Sequence, residues 1–162
     1  MKSYNFHDQL NQAVMDEKIT VELIKNAVPL FSDLEHMIGA DQKADSYSKQ
    51  NDAWLEIKED HYKSKNHFFE RISNDQKNSP GGPWQYLEKG VKYYAFHYHE
   101  DREIWIFETQ DLVTEFEKWV HRDFIKPKQK KEVLQSGANY KTIGYTIPKG
   151  WTTDLVKFKF NY

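Results

Sequence analysis

Asp45, Glu56 and Lys58 are the residues whose types and spacing could do chemistry together. Glu56 and Lys58 stand two apart in "DAWLEIKED", residues 52–60, where Ala53, Leu55 and Ile57 alternate with Trp54, Glu56, Lys58 and Asp60. Successive side chains of a strand point to opposite faces, so this alternation predicts a half-buried strand. The apolar set belongs in a core, and the acid and the lysine share the other face. Asp45 precedes Glu56 by eleven positions, in "ADSYS", with the polar turn "KQND" between the two segments. Pairing of two strands through that turn would set Asp45 beside Glu56. Two carboxylates converging next to a lysine suit Mg2+-dependent hydrolysis of a phosphodiester. Mg2+ is a hard cation that prefers oxygen ligands and keeps several waters; Asp45, Glu56 and the carbonyl of Ile57 would hold it. Such a metal acidifies water and neutralises charge on the phosphate. Lys58, a compact cation, would orient the attacking water or stabilise the transition state. The plain alternative is a solvated strand face with a surface ion pair worth about 0.2–1 kcal/mol.

The elements that must position these residues follow from periodicity. Residues 5–28 read as a helix, with Phe6, Leu10 and Val14 four apart and Val21, Ile24 and Val28 continuing the stripe until Pro29 ends it. "SDLE", Ser32 to Glu35, fits a capping box that opens a short helix closed by Gly39. "HFFERIS" suits a strand or a helical turn, and "NDQKNSPGGPWQ" is a loop in which "SPGGP" forbids regular structure. "VKYYAFHYH" and "EIWIF" are aromatic, β-branched strands, and residues 111–122 form an amphipathic helix with Leu112, Phe116, Trp119 and Val120 on one side. "KPKQKK" is a basic connector, followed by late strands in "YKTIGYTIP" and "LVKFKFNY". Helices, a meander of strands, a helix and more strands imply an α+β or α/β fold with a mixed sheet.

Asp45, a turn, and then Glu56-Ile57-Lys58 within an apolar strand resemble the PD-(D/E)XK nuclease superfamily, with Ala44 where the superfamily's name has proline. "KNHFFERISN" is similar to an element that follows the E-x-K strand in some small phage and bacterial relatives. The resemblance spans roughly residues 5–122 and leaves the last forty residues unmatched. It implies a central mixed β-sheet flanked by helices with a restriction-endonuclease-like core. It also implies a single nuclease-like domain over 1–162, with a core at about 5–122 and a basic extension at about 123–162. The implied activity is that of an endonuclease acting on DNA, with Mg2+ as cofactor, Mn2+ as its substitute, and a homodimer as the working form. An acid on the first core helix often joins the metal site in this superfamily. Glu17 and Glu22 are the candidates, and Glu22 is preferred because it lies inside the apolar-periodic stretch. Gln42 and Asp41 lie close enough to Asp45 to support the site, and Glu70 is an accessory candidate by the same resemblance.

Bulk properties set limits on these readings. The 162 residues are 38% hydrophobic, 30% charged and 15% aromatic, which suits one globular domain and not a disordered chain. The absence of cysteine removes disulfides and thiolate metal sites. No stretch approaches the roughly 20 apolar residues of a membrane span, and "MKSYNFHDQLNQ" lacks the apolar core of a signal peptide. A cytoplasmic location is expected, in a host cell if the protein is phage-encoded. Net charge is −2, yet residues 122–162 carry nine basic and three acidic side chains. Lys126, Lys128, Lys130 and Lys131 would track phosphates there. His97 and His99 share a strand face and could bind a transition metal with Glu100 or His121. Two other classes stay open: a catalytically silent nuclease-fold protein that binds nucleic acid or a partner, and a protein–protein module with an acidic face.

Overall fold

The computed structural model describes residues 6–135 and 137–162, so the expected helix start at residue 5 lies outside the described residues. Helix α1 (Phe6–Ala27) runs into a 3-10 turn, Pro29–Phe31. Proline at the first turn sacrifices no hydrogen bond there, which is why the chain can re-enter a helical turn at once. Three strands follow: β1 (Glu35–His36), β2 (Ser46–Ser48) and β3 (Ala53–Asp60), each antiparallel to the next. The β2–β3 turn places Asp52 in the left-handed region, φ 46°, a conformation Asp tolerates better than most residues. Asp33 fixes the same turn from outside by accepting from Ser48 Oγ at 2.6 Å and Gln50 N at 2.7 Å.

After β3 the chain leaves the sheet through β4 (Asn66–Asn74), β5 (Ser79–Pro80) and α2 (Gly82–Glu88). It returns as β6 (Tyr93–Tyr98), parallel to β3, and turns back as β7 (Glu103–Glu108). Helix α3 (Thr109–His121) follows, then β8 (Lys130–Leu134), β9 (Lys141–Pro148) and β10 (Phe158–Asn161). The main sheet has the order β1-β2-β3-β6-β7-β10 and is mixed, while β5-β4-β9-β8 is a smaller antiparallel sheet. The architecture is α+β with a mixed sheet and three helices among the described residues.

The two faces of the main sheet pack differently. Leu55, Ile57, Ala95, Ile104 and Ile106 meet Val21, Ile24 and Val28 of α1, with Phe31 and Leu34 beside them. On the opposite face Tyr94, Phe96, Tyr98, Trp105 and Phe107 meet Leu112, Phe116 and Trp119 of α3, Trp84 of α2, and Phe69 and Ile147 of the smaller sheet. The aromatic face gains from edge-to-face contacts, such as Trp84 on Phe116 at 4.8 Å and 87°. No helix among the described residues is long and apolar enough to cross a membrane.

Three expectations are corrected. "SDLE" opens no helix: Ser32 closes the 3-10 turn, Asp33 is committed to β2 and its turn, and Glu35 and His36 pair with Tyr47 and Ser46. Long-range pairing outcompetes the local cap. "SPGGP" is regular after all, since Ser79 and Pro80 form β5 and Gly82-Pro83 start α2, where a missing N–H costs no helical bond. "KPKQKK" is a 3-10 turn leading into β8. The last forty residues supply the late strands expected in "YKTIGYTIP" and "LVKFKFNY", β9 pairing with β4 and β10 with β7. "HFFERIS" resolves to strand β4.

Candidate metal centre

The β2–β3 hairpin pairs Ser46 with Leu55, so Asp45, one residue before β2, stands opposite Glu56. Each acid is held by the other's strand. Asp45 N donates to Glu56 Oε2 at 3.2 Å, and Ile57 N donates to Asp45 Oδ2 at 2.9 Å. Glu56 is only 9% exposed, on the aromatic face of the sheet next to Tyr94. Burial, then the facing Asp45, push the Glu56 carboxyl up to about 9. Burial and the nearby Glu17 raise Asp45 to about 6. A hydrogen bond joins the two carboxyls, so near neutral pH the pair shares a proton carried on Glu56.

Three further groups complete the surroundings. The Tyr86 hydroxyl of α2 hydrogen-bonds Glu56. Glu17 of α1 and His36 of β1 are joined at 2.9 Å, Nε2 to Oε2. A hollow of about 280 Å³ opens over the acids, lined by Glu17, Gln42, Lys43, Asp45, Glu56 and Tyr86 among others. Three carboxylates and a phenol make a hard-oxygen donor set, and two of the carboxyls keep a proton between them. Among the described residues, no lysine or arginine ion-pairs with Asp45 or Glu56. Asp45 and Glu56 are the two oxygen ligands this place could offer a hard cation; the ligand atoms of Glu17, Asp45 and Glu56 do not all gather within 4.8 Å of one another, as those of Glu59, His97 and His99 do.

Lys58 projects from β3 on the same face as Glu56, 45% exposed, with its Nζ 3.7 Å from Glu70 Oε2 of β4. Glu70 stands at a β-bulge, where the β4–β9 register shifts between Glu70 and Ile72. Bulges re-aim side chains, and this one sits beside the start of α2. A Cβ on Gly81 would fall 2.7 Å from Glu70 Oε1, and one on Gly82, at φ +44°, would fall 2.6 Å from the Glu70 carbonyl oxygen. The "GG" of the sequence is thus what lets α2 begin against Glu70, and α2 in turn delivers Tyr86 to Glu56.

Not every expected residue reaches this place. Glu22 points elsewhere: it is 64% exposed, pairs with Lys25 at 3.5 Å, and lines a different hollow with Glu35 and His36. Glu17 is the helix acid beside Asp45. It lies four residues before the buried Val21, on the stripe that Ile24 and Val28 continue. Gln42 lines the hollow, and the exposed Asp41 is not among its lining residues. Ile57, expected to offer its carbonyl, stands at the pair itself, its N–H donating to Asp45 Oδ2. Tyr86 carries no signal in the sequence, because the residues around it have the composition of a loop. Lys126, Lys128, Lys130 and Lys131 are exposed; Lys126 and Lys128 border a hollow of about 510 Å³ with Phe124 and Trp151, and Lys130 pairs with Glu132 at 3.7 Å.

The histidines gather around a different acid from those expected. Glu59 of β3 pairs in register with His97 of β6, and its Oε2 lies 3.0 Å from His97 Nδ1 and 2.5 Å from His99 Nε2. Glu100 and His121 are exposed and take no part. Burial, which alone would raise Glu59, is outweighed by hydrogen bonds from His97, Thr20 and His99 that hold its carboxyl below the ordinary value. The chain matches no protein-family model, and neither the curated proteins nor the solved structures include a significant match.

Proposed function

We propose that the protein is a Mg2+-dependent nuclease of the PD-(D/E)XK type that hydrolyses phosphodiester bonds in DNA. The observation that carries this reading is the mutual approach of Asp45 and Glu56 across the β2–β3 hairpin, with Lys58 two residues on along the same face. A hairpin bearing the acids, followed by a parallel strand reached through a crossover, also supports a restriction-endonuclease-like core.

In this reading Asp45 and Glu56 bind Mg2+, or Mn2+ in its place, and Glu17 is the third carboxylate. The bound cation supplies Lewis-acid charge neutralisation at the scissile phosphate. Water attacks phosphorus as the ester P–O bond breaks, with a proton leaving the water and another reaching the departing sugar oxygen. Lys58 orients the water or stabilises the charge that builds on the phosphate, an interaction made mainly in the transition state. Glu70 holds the ammonium in place. Lys126, Lys128, Lys130 and Lys131 bind flanking phosphates. A homodimer would present one such site to each strand.

The Lys58–Glu70 contact favours a second reading, a catalytically silent protein that binds nucleic acid or a partner with its lysine tied down. The test is cleavage of supercoiled, linear and four-way-junction DNA side by side, with Mg2+ and with EDTA. Metal-dependent cutting that disappears in Glu56→Gln supports the nuclease. Binding without cutting on every DNA form selects the silent protein.

A further inference from the structure

We infer that Glu59, His97 and His99 form a second metal site, for a transition-metal dication of the Zn2+ class, on the face of β3 opposite Glu56. Glu56 and Glu59 are three residues apart and point to opposite sides, so the sites are separate, about 10 Å apart along the strand at the usual rise. The Glu56 side offers only oxygens. The Glu59 side offers two imidazole nitrogens and a carboxylate, the donor set that suits Zn2+ and leaves a fourth position open.

The geometry is close to what such an ion needs. The three donor atoms lie within 4.8 Å of one another. Tetrahedral ligands at about 2.0 Å from zinc stand about 3.3 Å apart; Glu59 Oε2 lies 3.0 and 2.5 Å from the two nitrogens. Opening by less than an ångström, with a rotation of the partly exposed His99 ring out of its 3.8 Å stack on His97, makes the lone pairs converge. The supporting contacts are those that orient ligands in metal sites. Tyr162 Oη meets His97 Nε2 at 2.5 Å and can accept from it, so that Nδ1, once it gives up the proton it shares with Glu59, is turned to the metal, and Thr20 Oγ holds Glu59 Oε1 at 2.6 Å. Thr20 Oγ also lies 2.9 Å from the Asp16 carbonyl and 2.7 Å from His97 Nδ1. His61, stacked on His99 at 4.1 Å and tied to Asp16, is the nearest further imidazole. A dication there would fasten α1, through Thr20, to the ends of β3 and β6.

The test does not use nuclease activity. Full-length protein stripped with EDTA is titrated with Zn2+ against a chromophoric chelator, and Co2+ is added to a parallel sample. One Zn2+ per chain is expected, with a tetrahedral Co2+ visible spectrum that excess Zn2+ erases. Glu59→Gln and His99→Ala should each weaken Zn2+ binding by at least about 100-fold, whereas the Asp45→Asn/Glu56→Gln double variant should keep it. Substoichiometric uptake by the unaltered chain overturns the inference, as does a weak octahedral Co2+ spectrum. So does zinc binding that follows Asp45 and Glu56 instead of Glu59. The Co2+ measurement needs no variant, so it decides the matter even if a substitution fails to fold.

Discussion

The two faces of β3 treat a glutamate in opposite ways. Glu56 lies under burial facing another carboxyl, and its pKa is driven up despite the hydrogen bond with Tyr86. Glu59 is similarly sheltered but receives Thr20 and two imidazoles, and its pKa is driven down. They stand three positions apart on one strand. Burial alone therefore does not set the ionisation of an acid; the partners that share the burial do. On one face the partners disfavour the carboxylate charge; on the other they stabilise it.

The largest expected difference between the faces is in turnover. Lys58→Ala should reduce DNA cleavage by about 10²–10³, the usual effect of losing one preorganised electrostatic donor. DNA binding should change little and stability should stay within about 0.5 kcal/mol, since the side chain is largely solvated. Glu56→Gln should cost turnover as heavily and lose Mg2+ affinity as well, whereas Glu59→Gln should leave Mg2+ affinity intact. Single-turnover rates with parallel Mg2+ titrations check this. Wild-type rates in both Lys58→Ala and Glu56→Gln would remove chemistry from that face.

DNA affinity should separate the faces next. The lysines at 126–131 belong to elements next to β9, which packs on the Glu56 side. Neutralising Lys128, Lys130 and Lys131 together should weaken DNA binding and flatten its salt dependence, by about 0.9 in log–log slope for each phosphate no longer neutralised. His99→Ala should move neither quantity. An unchanged slope in the lysine variant would leave those side chains as ordinary solvated charges.

Stability against pH should slope in opposite directions. Asp45 and Glu56 are raised above the ordinary carboxyl value of about 4. Between about pH 4 and 9 these two groups hold more protons in the native, metal-free protein than in the unfolded chain, so their contribution to stability falls as pH rises. Buried His67, lowered to about 3, works the other way below about pH 6.5. Saturating Mg2+ or Glu56→Gln should flatten that decline. Glu59 is depressed, so its contribution is present above its unfolded pKa and disappears as pH falls through the folded value. Calorimetric Tm values in EDTA across pH 3–9, for the unaltered chain, Glu56→Gln and Glu59→Gln, resolve the two slopes. A Tm that declines no more steeply between pH 7 and 9 in the unaltered chain than in Glu56→Gln would contradict the shared-proton pair.

The smallest contrast is between two acids of one helix. Glu22→Gln should change stability by less than about 0.5 kcal/mol and leave Mg2+ affinity unchanged, because its ion pair with Lys25 is an exposed one. Glu17→Gln should weaken Mg2+ binding and lower the pKa of Asp45, which it now raises by repulsion. Equal effects of the two substitutions on Mg2+ would put the helix acid outside the site.

What the sequence determined by itself was whatever depends on short periods. The alternation of residues 53–58 specified β3 and its two faces, the four-residue turn specified that Asp45 meets Glu56, and the helical stripe specified α3. These follow from a side-chain period and a turn length, which act over a dozen residues. The tertiary structure decided everything that needed a partner from far along the chain. Glu17 and Glu22 differ by about 140° of helical phase, and which of them faces Asp45 depends on how α1 lies against β1 and the β2–β3 hairpin. Glu59 meets His97 only because β3 and β6 pair in parallel, after a crossover of more than thirty residues whose register no local pattern encodes. "SPGGP" became a strand end and a helix start because Glu70 arrives from β4 and leaves no room for a Cβ. Local periodicity chose the faces, and long-range register chose which charged groups share them.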